Sequence, residues 1–343
     1  MSLQLITRCA LSGAAPVPRE TGAVLGGALL GAAAASSITA WPEQRLAAPL
    51  LGAGASLLGE RWLSTLPVSG GESEGIVWRR SGDVLYGVLE LDEALFAGET
   101  GRTPLQAASE EAYLRLFRLL EAQELPQLWR VWNYLADING ESHGLERYRQ
   151  FNIGRQDAFL EFSRGATGNV PAACALGLAG GPLSIAFMAG ATPAVAVENP
   201  RQISAYHYPA EYGPRSPTFS RAALVYPPDR EILFVSGTAS IVGHRTVHPG
   251  DIAAQCRESL ANVEAVIGEA GRLGRTGPYT LGELAYRVYL RDAASQPLVA
   301  ATLAPRLGAA ADIVYVAADI CRRDLLIEIE ATASHVLGGR QSP

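Results

Sequence analysis

With 343 residues and 48% hydrophobic side chains, the chain is long enough for two domains of ordinary size and can bury a sizeable core. The formal charge of −6 is mild and no basic stripe occurs, which argues against a nucleic-acid partner, while scattered Gly and Pro argue against a disordered or fibrous chain. Every strongly basic side chain is Arg, so neither a Schiff-base lysine nor the phosphate-binding lysine of a P-loop is available.

Arg also suits fork-like recognition of carboxylates, although a coding bias explains the absence of Lys equally well. The cysteines Cys9, Cys174, Cys256 and Cys321 form no CxxC pair. That spacing fits neither a zinc site nor a secreted disulfide framework and points to a reducing cytoplasm.

In chain order, Thr21 to Pro42 is uncharged but mostly Gly, Ala and Ser, with too few large apolar groups for a membrane span. Arg8, Pro16, Pro18, Arg19 and Glu20 before it make a poor signal peptide, so it reads as packed backbone in a soluble protein. Gly75 to Arg79 and Val84 to Leu91 form a hairpin with Ser81-Gly82 at its turn. Pro104 to Ala122 is an amphipathic helix with Ala108, Ala112, Leu116, Leu119 and Leu120 on one face. Trp129 to Leu135 is a strand ended by Asp137, and Gly144 to Phe151 reads as a helix. Val170 to Leu176 and Leu183 to Met188 complete the half as strands.

The second half repeats these signals. Glu231 to Gly237 is a strand leaving the Pro227-Pro228-Asp229 turn. Asp251 caps a helix whose apolar positions Ile252, Cys256, Leu260, Val263 and Ile267 recur at helical spacing. Tyr286 to Leu290 alternates as a strand, Pro297 to Leu303 is helical, and Ile313 to Ala317 and Leu325 to Ile329 are the last strands. Setting Ile185 against Ile327 lays Pro182 to Ala189 under Asp324 to Ala331. The apolar frame matches, yet Ala186 stands where Glu328 does and Met188 where Glu330 does. A single catalytic site therefore belongs to the C-terminal copy.

Leu233-Phe-Val-Ser-Gly237, Asp251-Ile-Ala-Ala-Gln255 and Ile327-Glu-Ile-Glu-Ala331 resemble the RidA/YjgF superfamily. More closely, Tyr206-His-Tyr-Pro-Ala-Glu-Tyr-Gly-Pro-Arg-Ser-Pro217, Ser236-Gly-Thr-Ala-Ser-Ile-Val-Gly-His244, Cys321 and Glu328 resemble the chorismatases, two-copy relatives of RidA. The resemblance runs from about Gly75 onward and is weakest in the first 60 or so residues. It implies an α+β fold of two RidA/YjgF-like units, each a mainly antiparallel sheet with two helices on one face. Residues 1–198 would be a degenerate, non-catalytic copy and 199–343 the catalytic one. With two of three trimer positions on one chain, a monomer is expected.

The resemblance further implies that the enzyme removes pyruvate from chorismate without a cofactor or metal. Glu328 would protonate the enolpyruvyl methylene, which requires a carboxyl whose pKa is lifted by apolar surroundings. On a strand Glu328 shares a face with Glu330, and two such carboxyls help to hold one proton; two solvent-facing glutamates would show the same spacing. For the substrate carboxylates the resemblance points to Arg155, Arg215 and Arg306, with Arg221 as a weaker candidate, and Tyr208 and Tyr212 lie beside Arg215.

Cys321 resembles the type of chorismatase that makes 3-hydroxybenzoate, in which the ring-4 hydroxyl displaces pyruvate and the cysteine assists a later proton loss. Ala239 resembles the hydrolytic type, which gives trans-3,4-dihydroxycyclohexa-1,5-diene carboxylate. A buried core thiol would explain Cys321 as well. His244 and His248 lie in a loop with no third ligand nearby, so no metal is expected. A RidA-like imine deaminase and a non-catalytic small-molecule binding protein are the competing readings.

Overall fold

The computed structural model describes residues 3–10, 22–31, 39–52, 56–308 and 310–338. The first strands are β1 (Leu3–Ala10), β2 (Ala23–Gly31), β3 (Glu43–Leu46), β4 (Leu50–Leu51) and β5 (Leu57–Ser64). Four of them make a sheet in the order β1-β5-β2-β3, in which only the β2/β3 pair is parallel. Within the uncharged stretch 21–42, β2 is largely buried, while residues 21 and 32–38 lie outside the described ones. No helix among the described residues is long and apolar enough to cross a membrane.

The next unit begins with β6 (Ser69–Ser73), β7 (Ile76–Ser81) and β8 (Val84–Leu91). The expected hairpin is β7/β8, closed by Gly82-Asp83 between the paired Ser81 and Val84. It continues with α1 (Pro104–Ala122), β9 (Gln127–Ala136), the small hairpin β10 (Glu141–Ser142) and β11 (Leu145–Glu146), α2 (Arg147–Glu161), β12 (Ala172–Leu178) and β13 (Leu183–Gly190). Helix α1 starts where the sequence places it because Thr103 caps it, accepting from the Gln106 amide at 3.2 Å, and Pro104 suits the first turn.

Helix α2 runs ten residues beyond the expected Phe151. Gly154 in its middle, usually a helix-weakening residue, is used for packing. A Cβ there would stand 2.1 Å from the Gln106 carbonyl oxygen, so only Gly lets α2 approach α1 this closely. The sheet order is β12-β9-β13-β8-β7-β6, with β12/β9 its parallel pair.

The last unit holds β14 (Val195–Val197), β15 (Ala222–Val225), β16 (Arg230–Ala239), the hairpin β17 (Ile241–Val242) and β18 (Arg245–Thr246), α3 (Ile252–Leu273), β19 (Ala285–Leu290), α4 (Gln296–Leu307), β20 (Asp312–Ala317) and β21 (Ile327–Val336). Asp251 caps α3 as expected, accepting from the Ala254 amide at 2.9 Å. The sheet order is β14-β15-β16-β21-β19-β20-β4, so β4 from the N-terminal region closes its far edge.

The α+β expectation holds: each of two units has a mainly antiparallel sheet and two helices. The structure adds a third sheet. The orders β8-β13-β9-β12 and β16-β21-β19-β20 recur in β1-β5-β2-β3, each with its parallel pair at the same edge. No helix accompanies that third copy among the described residues.

One apolar core lies between the first unit's sheet and α1 and α2, around Phe117, Phe151, Phe159 and Phe187. A second lies between the last sheet and α3 and α4, around Val263, Ile267 and Leu303. The third joins all three sheets through Trp62, Trp132, Phe234 and Tyr289. Each such side chain contributes roughly 1.5–3 kcal/mol relative to exposure.

The edge strand β12 is sewn to the last unit. The Ala173 amide donates to Ser236 Oγ at 2.9 Å, and Ser236 donates to the Ser220 carbonyl at 2.6 Å. Gly177 and Asp319 exchange backbone bonds of 2.8 and 3.0 Å. These seams fix the gap in which the candidate site lies.

Candidate functional site

A cavity of about 570 Å³ opens between the two helix-bearing units. Its floor is formed by Cys174 on β12, Gly237 and Ala239 on β16, and Glu328 on β21; α2 contributes Tyr148 and Arg155. The loop from β14 to β15 brings Tyr208, Tyr212 and Arg221, and the turn before β21 brings Cys321 and Arg322.

Glu328 is 4% exposed although its side chain lines the cavity. Burial pushes its carboxyl up to about 8; the Glu330 carboxylate adds to the rise and Arg130 opposes it. Ala239 stands directly across the strand ladder from Glu328. Beside it, Gly237 makes the room: a Cβ at that position would lie 1.9 Å from Glu328 Oε1.

The Cys321 Sγ sits 4.0 Å from Glu328 Oε2. Burial, followed by the Glu328 carboxylate, pushes the Cys321 thiol up to about 12, so it stays protonated at neutral pH. Cys174, a second buried thiol lining the cavity, is raised by burial in the same way.

Among the five guanidinium groups that line the cavity (Arg149, Arg155, Arg221, Arg322 and Arg323), those of Arg155, Arg221 and Arg322 stand beside aromatic rings with hydrogen-bonding capacity unused by the protein. Arg155, 1% exposed, donates to Asn152 Oδ1 at 2.7 Å and stacks 4.9 Å from the Phe151 ring. Arg221 donates to the Ile203 carbonyl at 2.7 Å and to Tyr208 Oη at 2.8 Å, between the rings of Tyr208 and Phe219. Arg322 lies 4.0 Å from the Tyr212 ring centre and 5.1 Å from that of Tyr208, and donates to the His244 carbonyl at 2.9 Å. Each keeps one buried nitrogen with no hydrogen-bond partner in the protein: Nε of Arg155 and Arg221, and Nη2 of Arg322. Two buried cations and one half-buried one, with spare donors and flanked by aromatic rings, make a site for a small anion with a flat apolar body.

Of the residues singled out from sequence, the cavity gathers Glu328, Cys321, Arg155, Tyr208, Tyr212 and Ala239, together with the weaker candidate Arg221. It does not gather Arg215 or Arg306. The Arg215 side chain is 45% exposed and pairs with Asp157 at 3.2 Å. Arg306 lies on α4, where it pairs in solvent with Glu264 on α3 at 2.8 Å. In both cases a nearby carboxylate on the surface already satisfies the charge.

The sequence reading missed Arg322, Cys174, Tyr148 and Gly237. For Arg322 a signal was present, because it adjoins Cys321; for Tyr148 and Cys174 the fold alone supplies the proximity. His244 faces Tyr212 Oη at 3.2 Å and His248 faces Glu258 at 3.7 Å. No group of three or more His, Cys, Asp or Glu side chains placed to hold a metal occurs among the described residues.

Residues 60–189 match a family model described as chorismatase FkbO/Hyg5-like, N-terminal. The chain is 40% identical over 283 residues to a chorismatase of Streptomyces rapamycinicus, covering 80% of this chain and 82% of that protein. It is 38% identical over 286 residues to a 3-hydroxybenzoate synthase of Streptomyces hygroscopicus, covering 79% and 80% respectively. A crystal structure of a chorismatase superposes with a TM-score of 0.82 at 33% identity, covering 97% of this chain and all of that one.

Proposed function

Since the chain belongs to the chorismatase family, we propose that it removes pyruvate from chorismate and that Glu328 is the proton donor. The observation that carries this reading is a buried carboxyl group, that of Glu328, in the wall of an arginine-lined cavity. With its pKa raised to about 8, Glu328 holds a proton at neutral pH and can deliver it to carbon. The 570 Å³ cavity suits a small ring with two carboxylates. Arg155, Arg221 and Arg322 are the cations for those carboxylates, and Tyr208 and Tyr212 hold Arg221 and Arg322 in place.

Protonation of the enolpyruvyl methylene makes an oxocarbenium carbon, and the ether C–O bond at ring carbon 3 then breaks to release pyruvate. For the aromatic product, the ring-4 hydroxyl attacks carbon 3 as that bond breaks, giving an arene-oxide-like intermediate. Opening of its carbon 4–oxygen bond, with loss of the carbon 3 proton and return to the oxygen of the proton that the ring-4 hydroxyl gave up on attack, yields 3-hydroxybenzoate. The two products together contain the atoms of chorismate, so no water or redox partner is consumed. The Glu328 carboxylate left by the first step lies 4.0 Å from the Cys321 thiol. That pair assists the later proton loss.

In this reading the C-terminal unit, residues 199–343, is catalytic. The N-terminal residues 1–198 supply Arg155 and the opposite wall. Ala239, facing Glu328 across the ladder, supports the hydrolytic product as the second reading. Incubation with chorismate, followed by chromatography with mass detection, decides among the readings. Pyruvate with 3-hydroxybenzoate supports the first and pyruvate with a dihydroxycyclohexadiene carboxylate the second. No pyruvate above the spontaneous background refutes both and leaves an imine deaminase or a binding protein.

A further inference from the structure

Next to Glu328 on the same face of β21, Glu330 is the hub of a buried ionic network drawn from all three sheets. It accepts from Arg130 on β9 and from Tyr289 Oη on β19 at 2.9 Å, and lies 3.3 Å from Arg287 Nη1. Arg287 is shared. Its Nε donates to Glu60 Oε2 on β5 at 2.8 Å and its Nη2 donates to the same oxygen, while Nη1 lies 3.2 Å from Tyr134 Oη. Glu60, Arg130, Arg287 and Glu330 are all buried.

The register shows that the network is built on the repeat. Arg130 and Arg287 are the cross-strand partners of Met188 and Glu330 at matching positions of two sheets. The ladder slips beside Glu330, between Val235 and Thr238, and slips likewise beside Glu60, between Ile6 and Cys9. Glu60 is thus the N-terminal sheet's counterpart of Glu330. Each carboxylate takes an arginine from the neighbouring sheet.

We propose that Glu60 is a positioning residue for the acid Glu328: by holding one flank of Arg287 it keeps that guanidinium from settling wholly on Glu330. The Glu330 carboxylate then retains enough unscreened charge to keep the proton on its neighbour. This rests on the reading of Glu328 as proton donor.

Removing the charge of Glu60 deletes a buried negative charge and lets Arg287 turn fully onto Glu330; both changes make an ionised Glu328 less costly. Removing Arg287 does the opposite, because Glu330 then loses a counter-charge. The other groups around Glu328 are unaltered in such variants. They are the Cys321 and Cys174 thiols and the Tyr148 phenol, all kept neutral by burial, Tyr289, and the cations Arg130, Arg155 and Arg322.

The test is a ¹³C NMR titration of glutamate carboxyl carbons, with the Glu328 signal assigned as the one missing from Glu328→Gln. The wild-type midpoint is expected near 8. Glu60→Gln is expected to lower it by about one pH unit and Arg287→Gln to raise it by about as much, the size a neighbouring charge imposes in an interior. The Glu60→Gln/Arg287→Gln double variant should return close to wild type, which a merely structural role for Glu60 would not produce.

A midpoint that stays or rises in Glu60→Gln, or that stays or falls in Arg287→Gln, overturns the proposal. Because the signs are opposite, either variant decides alone if the other does not fold. The titration needs no substrate. Failure of the wild type to release pyruvate from chorismate would therefore refute the proposed function while leaving the coupling of Glu60 to Glu328 standing or fallen on its own result.

Discussion

Gly237→Ala probes the site with a single methyl group. The added Cβ would lie 1.9 Å from Glu328 Oε1, 2.6 Å from its Cδ and 3.3 Å from Cys174 Cβ. The backbone at position 237 does not have the positive φ that disfavours Ala, so the conflict is one of space alone. Ordinary contact begins at 3.4 Å, and the carboxyl must therefore withdraw by about 1.5 Å. A displacement of that size at a reacting group costs about 100-fold in rate, and crowding a packed interior costs about 1–3 kcal/mol. We expect kcat for pyruvate release, followed by a coupled lactate dehydrogenase assay, to fall about 100-fold with KM changed less than about threefold, because no cationic side chain has moved. A folded Gly237→Ala protein with kcat within about threefold of wild type would refute the placement of the acid.

Glu328→Gln should reduce kcat by about 100-fold or more while still binding a non-reactive chorismate analogue by calorimetry; retained turnover would remove Glu328 as the acid. In the wild type the active form is the protonated one, so kcat/KM should be level below pH 7 and fall about tenfold per unit above about 8. The same raised pKa means that the folded state binds the Glu328 proton more tightly than the unfolded chain does. Wild type should accordingly lose stability as pH rises from 4.5 to about 8, on the order of 4 kcal/mol in all. Glu328→Gln should therefore melt above wild type at pH 8 and close to it at pH 5. Arg155→Met should raise KM for chorismate by about 10- to 100-fold, the loss of a charge-assisted hydrogen bond, and an unchanged KM would exclude Arg155 from binding. Arg306→Ala should leave kcat/KM within about twofold, since surface ion pairs such as Arg306–Glu264 have little effect.

The elements legible in the sequence were those with strong local signals. Pro104 at the start of α1 and Asp251 before α3 mark their helices locally, whereas Ser81-Gly82 marks the β7/β8 turn one residue early, the structure closing it at Gly82-Asp83. The expected helix stops at Phe151, ten residues short of the end of α2, whose interior Gly154 is explained only by its close packing on α1. The repeat, with Ala186 in the place of Glu328, points to the C-terminal copy, while the role of Glu328 as the acid rests on the resemblance to the chorismatases. The arginines were harder. Arg215 looked anchored by Pro214 and Pro217, yet Asp157, distant in sequence, satisfies it at the surface. Arg322 looked ordinary, yet folding stacks it on Tyr212. Whether an arginine binds a ligand depends on which carboxylate reaches it first, and that is a property of the fold.

The third sheet bears on why the acid occurs once. In all three copies the strand that carries it occupies the same place, as β5, β13 and β21. Two copies keep a carboxylate at the position of Glu330, namely Glu60 and Glu330 itself, each met by an arginine from another sheet. In the third, Met188 takes that position opposite Arg130, whose charge is thereby free to reach Glu330. A carboxylate at Met188 would compete for Arg130 and leave Glu330 less neutralised beside Glu328. Between its strand neighbours Ile327 and Ile329, Glu328 has no cation as a cross-strand partner, facing Ala239 on one side and Tyr289 on the other. The ion pairs that join the sheets are thus spent on Glu330 and Glu60, and Glu328, the proposed acid two residues away, is held protonated first by its burial and then by the Glu330 carboxylate, with Arg130 opposing.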